Sequence, residues 1–202
     1  MTRIERAIIS CHDKSGVADL ATALQSMNVQ IVATDGTRRH LKEAGVEAAG
    51  VAEFTGVREM MNGRVKSLHP KIHAGLLGVR ENKTHVEEMQ TYECQWIDLV
   101  VVNLHPVAEL MKRTTITPEE VIEQIDIGGV AMIRSAAKNY RYVTVVVNPE
   151  RYSEVIHAMR AHDGSIPFTK RFDLAKEAFD LTSRYDRVVV ADLERNAVYA
   201  AL

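Results

Sequence analysis

The octapeptide Gly63-Arg64-Val65-Lys66-Ser67-Leu68-His69-Pro70 concentrates two cations, a hydroxyl and an imidazole in a short span. Arg64 and Lys66 alternate with Val65, so an extended backbone would turn both toward one face, suited to an anion or a polarised carbonyl. Gly63 permits a turn or a close backbone approach. Pro70 can open a helix and set His69 beside the unpaired N–H groups of its first turn. A solvated basic edge strand would carry the same residues, so the octapeptide does not identify a site by itself.

Other groups could join it. Thr34-Asp35-Gly36-Thr37 can offer hydroxyls and backbone donors at a helix start, a common cradle for anions. It is neither a Walker loop nor a dinucleotide fingerprint, and Asp35 would repel a phosphate unless it pointed away or met a cation. Asp126 opens Asp126-Ile127-Gly128-Gly129, where a tight turn would expose donors able to stabilise an oxyanion. Lys138 falls near the far end of the helix that follows, where a cation also complements the helix dipole. His69 and His73 have the i, i+4 spacing of a metal-binding helix. No third ligand accompanies them, and no metal is expected. His105, before Pro106 at a strand end, is a better catalytic candidate.

These groups need a scaffold. Ala7 to Ser10, Gln30 to Ala33, Val46 to Val51, Asp98 to Leu104 and Val143 to Val147 read as strands. The fourth is the clearest, being apolar and β-branched. Helices are expected over Val17 to Met27, Arg38 to Ala44, Pro70 to about Leu77, Thr84 to Tyr92 and Val130 to Asn139. Thr117-Pro118-Glu119-Glu120 is a helix start with a capping hydroxyl, proline in the first turn and two acids behind it. After Pro149 the chain reads as helical to its end. The alternation implies an α/β fold with a mainly parallel sheet in three layers and a helical C-terminal extension. In such sheets ligands bind beyond the carboxyl ends of the strands. His12 to Lys14, Thr34 to Thr37, and Asn103 with His105 all lie there.

The chain has 202 residues, 46% of them hydrophobic, and a net charge of -2. One sizeable core is expected, with no general attraction for nucleic acid. No apolar run approaches a membrane span. Two unpaired cysteines fit a reduced, cytosolic compartment, and no signal peptide opens the chain.

Five blocks in order carry a resemblance: Ser10 to Gly16, Gly63 to Pro70, Val101 to Pro106, Ile125 to Gly129, and Ala136-Ala137-Lys138-Asn139. Together they resemble the inosine monophosphate cyclohydrolase domain of the bifunctional purine-biosynthesis protein, over about the whole chain. The resemblance implies a methylglyoxal-synthase-like fold and one domain over residues 1–202. It implies catalytic roles for Lys66, Asp126 and Lys138, and places His105 where the family has an active-site tyrosine. Lys14, Gly36, Thr37, Arg64, Ser67 and Asn103 match nucleotide-binding positions. His12, Thr34, Ile127, Gly128 and Gly129 complete the expected substrate contacts. The family has Ser at His12, Ser or Thr followed by Gly at Thr34-Asp35, and Phe at Val107. His12 and Asp35 could pair beside the ligand.

The implied reaction closes 5-formamidoimidazole-4-carboxamide ribotide to inosine monophosphate with loss of water. Asp126 would orient or deprotonate the carboxamide, Lys138 would protonate the departing oxygen, and Lys66 would stabilise its charge. No cofactor is implied, and a cytoplasmic homodimer is. The rival expectations are a metabolite-sensing module without catalysis and a diverged cyclase acting on a modified purine precursor. The second, formyl-transferring domain of the family protein would begin where this chain ends.

Overall fold

A computed structural model describes residues 3–110 and 117–195. The expected helix beyond residue 195 lies outside the described residues. The centre of the fold is β1 (Arg6–Cys11), flanked by β2 (Gln30–Ala33) and β4 (Leu99–Asn103), with the short β3 (Ala49–Gly50) and β5 (Thr144–Val146) outermost. The sheet order is β3-β2-β1-β4-β5, and every ladder is parallel. Register follows burial. Ile8 stands level with Val32 and Val100, and Ile9 with Ala33 and Val101.

Successive side chains leave a strand on opposite faces, which divides the core in two. Ile9, Ala33 and Val101 face α1 (Val17–Ser26) and α9 (Tyr152–Ala161), packing with Leu20, Leu24, Val155 and Met159. Ile8, Val32 and Val100 face α4 (Pro70–Leu77), α8 (Gly128–Lys138) and α10 (Phe168–Arg195), packing with Ile72, Leu76, Met132, Ile133 and Ala178. Burying each large aliphatic side chain contributes about 1.5–3 kcal/mol. This is the expected three-layer α/β architecture. The remaining helices are α2 (Asp35–Glu43), α3 (Val51–Thr55), α5 (Lys83–Thr91), α6 (Val107–Leu110) and α7 (Pro118–Glu123). In α7 the expected cap is present: Thr117 Oγ1 accepts from the Glu120 N–H at 3.3 Å, and Glu120 accepts from the Thr117 N–H at 2.8 Å.

Three stretches differ from the sequence reading. The strand expected over Val46 to Val51 shortens to Ala49–Gly50, and Val51 opens α3. Thr34 to Thr37 is not a loop before a helix. Thr34 stays extended as the cap residue and α2 begins at Asp35, an acid in the favourable first turn. The basic octapeptide is not extended. Met61, Asn62 and Gly63 all adopt positive φ, closing a tight turn whose ends meet at the Met60–Val65 bridge.

A buried carboxylate marks the opposite end of the sheet. Asp98 accepts the Glu5 and Arg6 N–H groups, each at 2.8 Å, and pairs with Arg80. It ties the amino ends of β1 and β4 together, leaving their carboxyl ends for chemistry.

Candidate active site

The chain fills one side of the sheet with β2 and β3, then crosses to β4 and β5 on the other. The crevice at such a reversal lies between the carboxyl ends of β1 and β4, where Cys11 pairs with Asn103. Asn103 Oδ1 accepts the Asp13 N–H at 2.8 Å, and its amide donates to the Asp13 carbonyl at 2.9 Å. Lys14 Nζ donates to the carbonyls of Cys11 and His12. Thr37 Oγ1 accepts the Cys11 N–H at 3.1 Å, and Thr34 Oγ1 bonds Ser10 Oγ at 3.2 Å. The side chains expected to grip a ligand therefore first hold the loop after β1 in place.

Two features stand out here. One is the start of α2, where nothing lies within 4 Å of a Cβ built on Gly36. The other is a pair of imidazoles: His12 and His105 meet with centroids 4.1 Å apart. His12 thus partners His105 rather than Asp35, because the register of β1 and β4 sets their trailing loops side by side.

The octapeptide reaches this crevice from the side, and its two cations part company. Arg64 Nε donates to Glu123 Oε1 of α7 at 3.1 Å. Glu123 holds the Arg64 guanidinium above its ordinary pKa, while Arg64 holds the Glu123 carboxyl below the usual range. Lys66 instead lines a narrow cleft together with Thr34, Asp35 and Glu59. Ser67 is buried against α8, and a methyl group on Gly128 would stand 2.2 Å from Ser67 Oγ.

The two histidines of α4 do separate work. His69 Nδ1 accepts the Lys71 N–H at 3.1 Å as the helix cap. His73 Nδ1 lies 3.0 Å from Ser135 Oγ of α8, and burial pushes its pKa down, an effect partly offset by the Ser67 backbone.

Asp126 stands at the start of α8. Its Oδ1 accepts the Gly129 N–H at 2.6 Å, and its own N–H donates to the Tyr185 hydroxyl at 2.8 Å. A methyl group on Gly129 would lie 2.5 Å from Asp126 Oδ2, so that carboxylate oxygen rests over the glycine backbone. Ile127 is 59% exposed, presenting the turn to solvent. The structure thus gathers Ser67, Asp126 and Gly128 at one end of α8. Lys138 is at the other end, about 15 Å away by helical rise. Its neighbour Asn139 donates to the carbonyls of Leu76 and Gly78 at the end of α4.

Glu123 and Tyr185 escaped the sequence reading. Each lies 59 residues from the site residue it touches, and neither sits in a recognisable local pattern.

Residues 16–131 match the profile of the MGS-like domain, and residues 136–201 match that of the AICARFT/IMPCHase bienzyme. The chain is 47% identical over 190 residues to the bifunctional purine biosynthesis protein PurH of Pelodictyon phaeoclathratiforme, covering 94% of this chain and 36% of that protein. Against PurH of Chloroflexus aurantiacus it is 46% identical, covering 95% of this chain and 37% of the relative. The chain therefore spans about a third of the length of the curated relatives it matches. The crystal structure of ForH superposes with a TM-score of 0.84 at 32% identity, covering 95% of this chain and all of ForH. With more than half its length matched by that first profile, the chain belongs to the MGS-like domain family.

Proposed function

We propose that this chain closes 5-formamidoimidazole-4-carboxamide ribotide to inosine monophosphate, releasing water. The observation that carries the reading is the seating of Ser67 against Gly128, which joins the basic octapeptide to the Asp126 turn. In the reaction the carboxamide nitrogen attacks the formyl carbon, that nitrogen loses one proton and the formamido nitrogen a second, and the formyl oxygen departs with two protons as water. An amide nitrogen is a weak nucleophile, so both ends need help. Asp126 Oδ2 takes or orients the carboxamide proton. Lys66 and the backbone donors of Ile127 and Gly128 stabilise charge on the formyl oxygen, and His105 supplies a proton to it. Removing one such preorganised group costs about 3–4 kcal/mol of transition-state stabilisation.

The ribotide phosphate sits over the open start of α2 at Gly36, with Arg64 recruited from Glu123. Lys14, Thr34, Thr37 and Asn103 shape the loop beneath, and His12 closes the crevice. Lys138 acts as the cation at the carboxyl end of α8 rather than on the reacting atoms. The step transfers no electrons, so the reading calls for no redox cofactor.

The contact between His12 and His105 favours a second reading. Two imidazoles stand where the resemblance expects serine and tyrosine, which suits a diverged cyclase acting on a modified precursor. Turnover of the formylated ribotide decides. Mixed with it, the purified chain should produce inosine monophosphate absorbance. Tight binding without turnover would leave a sensor, and faster closure of an altered ribotide would favour the second reading.

We also assign a homodimer and a cytoplasmic setting. Phe168, Phe172, Phe179, Val190 and Leu193 are exposed along α10. At about 100° per residue they fall within about 60° of helical arc. Such an apolar stripe suits burial against a second copy. Among the described residues no helix is long and apolar enough to cross a membrane.

A further inference from the structure

Tyr185 touches the proposed reaction centre from an unexpected direction. It lies on α10, in the region that follows the MGS-like match. Its hydroxyl accepts the backbone N–H of Asp126 at 2.8 Å across 59 residues of chain. Burial raises the phenol pKa above its ordinary value, an effect the Asp126 N–H partly offsets and the nearby Asp126 carboxylate reinforces, so the hydroxyl stays neutral through the physiological range. A neutral phenol keeps both a lone pair for the Asp126 N–H and a proton to give.

The turn is held from other sides as well, by Ser67 against Gly128 and by the Ala131 N–H on the Ile127 carbonyl at 3.0 Å. One carboxylate oxygen of Asp126 is tied to the Gly129 N–H at 2.6 Å, and Ile127 projects into solvent. Asp126 and Gly129 move with α8, which packs against α10 through the core around Ile133 and Ala178. The hydroxyl of Tyr185 thus pins the residue immediately before the turn to a second helix, and with both bonds in place Oδ2 is the oxygen left for a substrate.

We infer that Tyr185 is a positioning residue: its hydroxyl fixes the Asp126 backbone so that the free carboxylate oxygen points at the reacting carboxamide. The inference rests on the ring-closing function proposed above. It assigns to the C-terminal helix a part in the chemistry, beyond its part in the core.

The test is Tyr185→Phe, which removes one oxygen and keeps the ring. In the full chain, turnover should fall about tenfold to a hundredfold, the penalty of a displaced reacting group, while KM moves less than about twofold. Hydrogen exchange at the Asp126 amide should accelerate, with exchange at Met132 and Ile133 in α8 unchanged. That split separates a misplaced turn from a loosened fold. Unchanged turnover together with unchanged Asp126 exchange would overturn the inference, as would equal acceleration throughout α8. If the wild-type chain shows no ring closure, the proposed function fails by itself. Tyr185 is then judged by Asp126 exchange and inosine monophosphate affinity: faster exchange with weaker binding upholds its positioning role, and no change in either removes it.

Discussion

His12 and His105 stand ring against ring, their centroids 4.1 Å apart and their planes inclined at 61°. They follow β1 and β4, and the register that sets Cys11 beside Asn103 makes them neighbours. An imidazole ordinarily titrates near pH 6.5, whereas a phenol stays neutral to about pH 10. The turnover profile should therefore show a limb between about pH 5 and 8. His105→Tyr should remove most of it and keep appreciable activity, since the hydroxyl restores a donor. Superimposable profiles for the two proteins would reduce the pair to a packing contact.

The placement of the charged candidates along α8 separates their roles. Asp126 lies at the end of α8 where Ser67 seats, and Lys138 lies about 15 Å away along the helix. Lys66→Ala and Asp126→Asn should each lower turnover about a hundredfold or more with the fold intact. Lys138→Ala should leave turnover within about threefold of wild type and shift only the thermal midpoint, as loss of a cation from a helix terminus does. A loss at Lys138 as large as that at Lys66 would return it to the reacting centre.

His73 carries a stability signature. Burial depresses its folded-state pKa, so the fold prefers the neutral ring while the unfolded chain protonates near pH 6.5. The unfolded state then binds more protons in the acid range. The contribution of the neutral ring is present in full above about pH 6.5 and is lost as pH falls through the depressed folded value. Denaturant midpoints measured from pH 7.5 to 5 should fall less steeply for His73→Gln than for wild type. Equal slopes would mean that His73 charges without cost.

Why some of this was legible in the sequence and some was not is a matter of range. The strand Leu99–Asn103 declares itself because both faces are buried and the residues are apolar and β-branched. The start of α7 declares itself because Thr117 and Glu120 cap one another within one turn. The octapeptide misleads because Arg64, Val65 and Lys66 alternate as a strand would. Yet the conformation is decided by the positive φ of Met61, Asn62 and Gly63 just before them. At α2, Thr34 and Gly36 look like loop residues, although Thr34 before Asp35 is also a cap before a first-turn acid. The bonds from Arg64 to Glu123 and from Asp126 to Tyr185 each span 59 residues. They depend on how α7 and α10 dock, and no local pattern encodes that. The resemblance supplied Asp126 but not the hydroxyl that holds it.

The contact between Ser67 and Gly128 offers the sharpest test of how the site is assembled. A methyl group on Gly128 would stand 2.2 Å from Ser67 Oγ but 3.6 Å from Ser67 Cβ. The clash is therefore with the hydroxyl and not with the rest of the side chain. Gly128→Ala should push the octapeptide off α8 and lower turnover about a hundredfold, in line with the cost of a misplacement near 1 Å. Ser67→Ala removes the hydroxyl, so the methyl introduced by Gly128→Ala then finds only ordinary contact. The double variant should recover most of what Gly128→Ala loses, down to the level of Ser67→Ala alone. Such a rescue is a coupling between touching residues, and independent sites would show none. Thermal midpoints should follow the same order, with Gly128→Ala lowest. Additive losses in the double variant would mean that Ser67 and Gly128 do not touch, and would remove the observation that joins the octapeptide to the Asp126 turn.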